Sequence, residues 1–126
     1  MTKVKVDELV IDGVTYVPKG SGPAINTDGK KAVLIRSRDA GVHFGYLEKE
    51  EFTPSGKVVS LAKTRRVWSW SGAASLSQMA NEGVKNPKDC KFSVALATNE
   101  IVNVIETIPL TEAAVANLYA VPEWKA

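Results

Sequence analysis

The sequence predicts an α+β domain, a small antiparallel sheet curled or closed into a partial barrel and accompanied by two short helices. Three observations predict it. Short runs rich in Val, Ile and aromatic residues fill residues 8–70, and turns containing Gly or Pro separate them, as in sequential antiparallel strands. After Trp70 the apolar spacing lengthens from two to three and four residues, as on a helix. The chain has 126 residues, 44% of them hydrophobic and 24% charged, which suits one globular core. With no repeat and no long linker, residues 1–126 read as a single domain.

The elements follow in order. Glu8–Ile11 and Val14–Val17 flank Asp12-Gly13, so residues 8–17 read as a tight hairpin. Residues 19–29 are rich in Gly, Pro, Ser and Asn and read as a loop; its Gly20-Ser21-Gly22 lacks the Gly-Lys-Ser/Thr of a P-loop. Ala32–Arg36 is a continuous apolar run suited to a buried strand. Residues 37–41 turn the chain into an alternating strand, Val42–Leu47, whose charged end is Glu48–Glu51. Thr53-Pro54-Ser55-Gly56 is a second turn, and Lys57–Leu61 resumes extended structure.

A helix is expected between Ser71 and Gly83, with Leu76, Met79 and Ala80 on one face. Ser71 is one candidate cap; Ser75 with Gln78 fits a capping box one turn later, and Gly83 is the stop. Asn86–Asp89 is a loop and Cys90–Ala97 an expected strand. Thr98-Asn99-Glu100 is the expected turn into a strand over Ile101–Ile108, which Pro109 ends. Thr111 caps a second helix through Val115, Leu118 and Tyr119, and residues 120–126 form a tail.

Composition narrows the function. One Cys permits no internal disulfide, which points to a reducing cytosol, and one His makes the Cys–His inventory too thin for structural zinc. No apolar run approaches the ~18 residues of a membrane span. The start carries no apolar signal-peptide core. Net charge is +2, but residues 30–70 hold nine Lys+Arg against four Asp+Glu, a local +5. That excess favours a phosphate-bearing ligand, yet it is small for a nucleic-acid-binding domain.

The most informative stretch is Thr64–Ala73, Thr-Arg-Arg-Val-Trp-Ser-Trp-Ser-Gly-Ala. If extended, it puts Arg66, Trp68 and Trp70 on one face and Arg65, Val67 and Ser69 on the other. An indole stacks on a base, a guanidinium grips phosphate, and N–H groups at a helix start attract an anion. Arg66, Trp68, Trp70, Arg65, Ser69, Ser71 and the Gly72 backbone are therefore the candidate ligand contacts. Arg38 and Arg36 flank the preceding turn and are candidates for further phosphate contacts. Against this stands a plain alternative, in which both indoles fill the core and the arginines rim it.

Arg65–Leu76, with its Arg-Arg-Val-Trp-Ser-Trp-Ser-Gly-Ala-Ala-Ser-Leu run, resembles the signature of a family of small bacteriophage proteins of unassigned function. The likeness extends upstream over Arg36–Leu47 and downstream through Asp89–Phe92 and Glu106–Thr111, covering about residues 31–115. The resemblance implies an accessory or counter-defence protein acting in the host cytoplasm. Some such proteins sequester the nucleotide signals of bacterial immunity without cleaving them, which makes a cyclic nucleotide or a cyclic ADP-ribose isomer the implied ligand.

No catalytic constellation emerges beside it. His43 has no sequence-apparent nucleophile or orienting group, and reads as a surface or half-buried strand residue. Cys90 reads as a small buried thiol. No metal-ligand spacing and no cofactor motif is present, so binding without turnover is the expectation. A domain this small has little core to spare around a ligand, so a homo-oligomer with sites near its subunit contacts is expected. Inhibition of a host protein and single-stranded nucleic-acid binding are the alternatives.

Overall fold

The computed structural model describes residues 9–11, 14–16 and 20–126. Strands β1 (Leu9–Ile11) and β2 (Val14–Tyr16) pair antiparallel, with Ile11 opposite Val14. The Asp12-Gly13 turn expected between them, and Glu8 and Val17 at the ends of that hairpin, lie outside the described residues.

The main sheet contains β3 (Ala32–Ser37), β4 (Gly41–Thr53), β5 (Gly56–Ser69), β6 (Lys91–Phe92), β7 (Leu96–Ile101) and β8 (Val104–Pro109). Its order is β6-β5-β4-β3-β8, and β7 joins β5 along the border that β6 uses farther up. All of its pairings are antiparallel. Connectivity forces it to curl. β7 sits on β5 and β8 on β3, so in a flat sheet they would lie four spacings, or ~19 Å, apart. Only Val102 and Asn103 join them, and three Cα steps reach at most ~11 Å. The two borders must therefore approach each other, giving the open, curled sheet that the sequence predicts.

The sheet buries both faces. Val33, Ile35, Val59, Leu61, Ile101 and Val104 fill the inside of the curl. Leu34, Phe44, Val67 and Phe92 face outward against helices α1 (Leu76–Glu82) and α2 (Glu112–Tyr119), where Met79, Ala80, Ala114 and Leu118 are buried. A strand covered on both sides has no polar face to alternate with, which explains the unbroken apolar run of β3.

Local chemistry fixes the helix ends. Ser75 caps α1: its Oγ accepts from Gln78 N at 3.1 Å, and Gln78 Oε1 accepts from Ala74 N at 2.8 Å. Ser71, the other candidate cap, stands outside the helix. Gly83 closes α1 by donating to Met79 O, and Thr111 Oγ1 caps α2 by accepting from Ala114 N.

Four expectations are corrected. The charged stretch Glu48–Glu51 is not a strand end, because β4 continues to Thr53 paired with β5. Lys57–Leu61 and the Arg-Trp segment form one 14-residue strand, its register shifting around Lys63, which has φ 50°. Cys90–Ala97 is not one strand: Ser93 Oγ accepts from Arg66 N at 2.8 Å, so a side chain replaces a ladder partner there. The chain leaves β5 at that point and rejoins it at Leu96, opposite Thr64. Finally, Thr98-Asn99-Glu100 lies inside β7. The turn comes at Val102 and Asn103 instead, where Asn103 takes φ 53° and its amide donates to Asp39.

Candidate functional site

Pairing places the basic–aromatic strand against the start of β4. Val42 lies opposite Val67, His43 opposite Arg66 and Phe44 opposite Arg65. Successive side chains alternate in direction, so Arg65 joins Phe44 on the helix-covered face, while Arg66 joins His43 on the inside of the curl.

Around Arg66 lie two cavities. The outer one, of about 490 Å³, runs between residues 39–42 and Arg66, Val67, Trp68 and Trp70. Trp68 is 67% exposed at its wall, an unusual state for so large an apolar ring. Trp70 is different: it is half-buried against the helix-side core, and its Nε1–H donates to Ala73 O at 3.2 Å. One indole is thus available as a platform and the other is mainly packing.

The four arginines separate just as clearly. Arg36 Nε pairs with Glu106 at 3.2 Å, and Arg38 Nε lies 3.8 Å from Asp39. Arg65 is only 3% exposed, and it donates to the carbonyls of Ser93 (2.8 Å), Leu118 (3.1 Å) and Val121 (2.9 Å). Its guanidinium also lies 5.4 Å from the Phe92 ring, and burial lowers its pKa. Arg65 is therefore a tie between β5 and the end of α2, and it lines neither cavity. Among the described residues only Arg66 has a guanidinium with no hydrogen bond or ion pair, and it is exposed.

Ser69, Ser71 and Gly72 do not converge on Arg66. Ser69 pairs with Lys91 in the sheet. Ser71 N donates to Cys90 Sγ at 3.3 Å, and Ser71 Oγ accepts from Asn86 Nδ2. Gly72 has φ 95°, and a Cβ there would lie 2.4 Å from Lys85 N. This segment braces Trp70 against residues 85–86, four residues before α1 begins. Cys90 is buried, as its reading as a structural thiol requires.

The inner cavity, about 140 Å³, was not foreseen. Arg66 forms part of its wall together with His43, Thr64, Ser93, Val94, Leu96 and Asn99. His43 is 1% exposed, which corrects its reading as a surface or half-buried residue. Its Nε2 lies 2.8 Å from Ala40 O. A carbonyl only accepts, so Nε2 carries the proton. Burial lowers the pKa of His43 most; the Ala40 contact opposes that shift and the Arg66 charge reinforces it. The ring is neutral, and its Nδ1 keeps a lone pair. Thr64 offers no activated hydroxyl, since its Oγ1 donates to Phe44 O at 2.9 Å. No three His, Cys, Asp or Glu side chains among the described residues group as a metal site would require.

Residues 30–118 match a protein-family model described as a domain of unknown function, DUF6948. No curated protein and no solved structure matches the chain.

Proposed function

The chain belongs to the DUF6948 family, and we propose that it binds and sequesters a small nucleotide without cleaving it. One observation carries the reading: the unpaired Arg66 stands beside the exposed Trp68 on a cavity large enough for a nucleotide-sized ligand. Base stacking on an indole and phosphate binding by a guanidinium are complementary, and here they come from residues two apart on one strand. Asp39 on the opposite wall disfavours a densely anionic ligand. It fits one whose charge is concentrated near Arg66.

Binding without turnover agrees with the site. His43 Nδ1 keeps a basic lone pair, but the two hydroxyls that line its cavity donate elsewhere, Thr64 Oγ1 to Phe44 O and Ser93 Oγ to Val94 O. Among the described residues of that cavity, no hydroxyl nucleophile is poised on the base. In line with the phage resemblance, the ligand is a cyclic nucleotide or cyclic ADP-ribose isomer, met in the cytoplasm of an infected host. The outer cavity is open on one side, so a second copy of the chain closes it in a homo-oligomer. Calorimetry against cyclic dinucleotides and cyclic ADP-ribose isomers tests this reading: one should bind and be recovered intact after the protein is denatured. No heat with any of them, or recovery of a cleaved product, contradicts it.

The exposure of Trp68 also favours a second reading, inhibition of a host protein, because an exposed tryptophan is a common interface anchor. In that case Arg66→Ala changes no nucleotide titration, and Trp68→Ala abolishes capture of a stoichiometric partner.

A further inference from the structure

The inner cavity gathers polar groups whose hydrogen-bonding capacity the fold leaves unused. The Arg66 guanidinium and the Asn99 amide have no partner among the described residues. The same holds for His43 Nδ1, and its position can be deduced. No fully buried side-chain nitrogen or oxygen among the described residues lacks a partner. Nδ1 has none, so a sliver of it stays accessible although His43 is only 1% exposed, and the cavity that His43 lines is the space beside it. A cation, a neutral acceptor and an amide therefore converge on one small space, its remaining wall including Val94 and Leu96. Two of the three, His43 and Arg66, face each other at one register position of a paired sheet, and Asn99 of β7 sits across from Leu61 of β5. Rigid strands position such a constellation more firmly than loops do.

We propose that this inner cavity is a specificity subsite for a hydroxyl-bearing sugar phosphate. Arg66 holds the phosphate oxygen at the junction of the two cavities, His43 Nδ1 accepts a hydrogen bond from a sugar hydroxyl, and Asn99 completes the set. The volume agrees: about 140 Å³ lies below the ~300 Å³ at which pockets take a whole drug-sized ligand, so it suits one part of a larger molecule. The chemistry agrees as well. A neutral imidazole beside an arginine offers an acceptor where a second cation would offer only donors, so the site distinguishes a hydroxyl from bare phosphate. Resting on the nucleotide reading, the inference adds that the ligand is a ribonucleotide rather than a deoxyribonucleotide.

The test uses probes without a base, which keeps it separate from stacking on Trp68. Ribose 5-phosphate, 2-deoxyribose 5-phosphate and inorganic phosphate are titrated into the full chain while the His43 imidazole nitrogens are followed by NMR. Ribose 5-phosphate should shift Nδ1 and bind about tenfold more tightly than the deoxy sugar, the ratio set by one lost hydrogen bond. Asn99→Ala, on a partly exposed strand position, should weaken it several-fold; Trp124→Phe, which lines neither cavity, should leave it unchanged. An unmoved His43 spectrum, or equal binding of all three probes, overturns the subsite. The nucleotide reading fails separately: ribose 5-phosphate then shifts His43 as expected, while AMP binds no better to the native chain than to Trp68→Ala.

Discussion

Arg65 and Arg66 are neighbours of identical type, and the structure gives them opposite roles. Replacing each with methionine tests that assignment. In Arg65→Met four charge-assisted hydrogen bonds are lost, to Ser93, Leu118, Val121 and, at 3.4 Å, Pro122. A hydrogen bond to a charged group contributes ~1.5–3 kcal/mol, so the three short ones alone give a gross loss of ~5–9 kcal/mol. Releasing a buried guanidinium to water returns several kcal/mol, and methionine refills part of the space. The net cost is therefore ~2–4 kcal/mol, about 10 °C in melting temperature for a domain of this size. Arg66→Met removes no partner from an exposed side chain, so it should stay within ~0.5 kcal/mol of the native protein. Urea and thermal melts followed by circular dichroism measure both. Equal stability of Arg65→Met and the native chain would refute the tie between β5 and α2. A comparable loss in Arg66→Met would show that its guanidinium is structural after all.

Other outcomes follow from the same geometry. Gly72→Ala should cost ~2–4 kcal/mol in a urea melt, since the new Cβ meets Lys85 N at 2.4 Å and φ is 95°; a neutral result would mean that the segment moves freely away from residues 85–86. His43 should make stability depend on pH. Its folded pKa is lowered, so below about pH 6.5 the unfolded chain takes up a proton that the folded chain refuses. The contribution is therefore full above that pH and is lost as pH falls towards the folded value. Urea midpoints measured between about pH 7 and pH 5 should decline more steeply for the native chain than for His43→Phe. In a Trp124→Phe background, acrylamide should quench Trp68 strongly and Trp70 weakly, and Trp68→Ala should leave only the protected emission.

What could be read from sequence was whatever local chemistry decides. Ser75 with Gln78, Gly83 and Thr111 act through bonds to residues three or four positions away, and such caps are visible in the chain itself. The period-two spacing of Arg66 and Trp68 likewise survived folding. Arg65 was misleading because its partners are backbone carbonyls of residues 93, 118, 121 and 122, and carbonyls carry no sequence signature. Thr98-Asn99-Glu100 is polar because β7 is a border strand with exposed residues, not because the chain turns there. The inner cavity was illegible for a related reason. His43, Arg66 and Asn99 come together because β4, β5 and β7 are neighbours in the sheet, and that pairing of segments distant in sequence is not written in any one of them. The one available signal was His43 on the strand face opposite Phe44, which fits a buried polar residue as well as a surface one.

The indole N–H resonances of Trp68, Trp70 and Trp124 offer the most direct test of the binding site. On titration with the panel of cyclic dinucleotides and cyclic ADP-ribose isomers, one ligand should shift the Trp68 resonance and the Arg66 side-chain signals together, with Trp124 unmoved, and Arg66→Ala should abolish the effect. A ligand that shifts Trp124 alone, or a panel that leaves Trp68 unchanged throughout, would contradict a nucleotide site at Arg66 and Trp68.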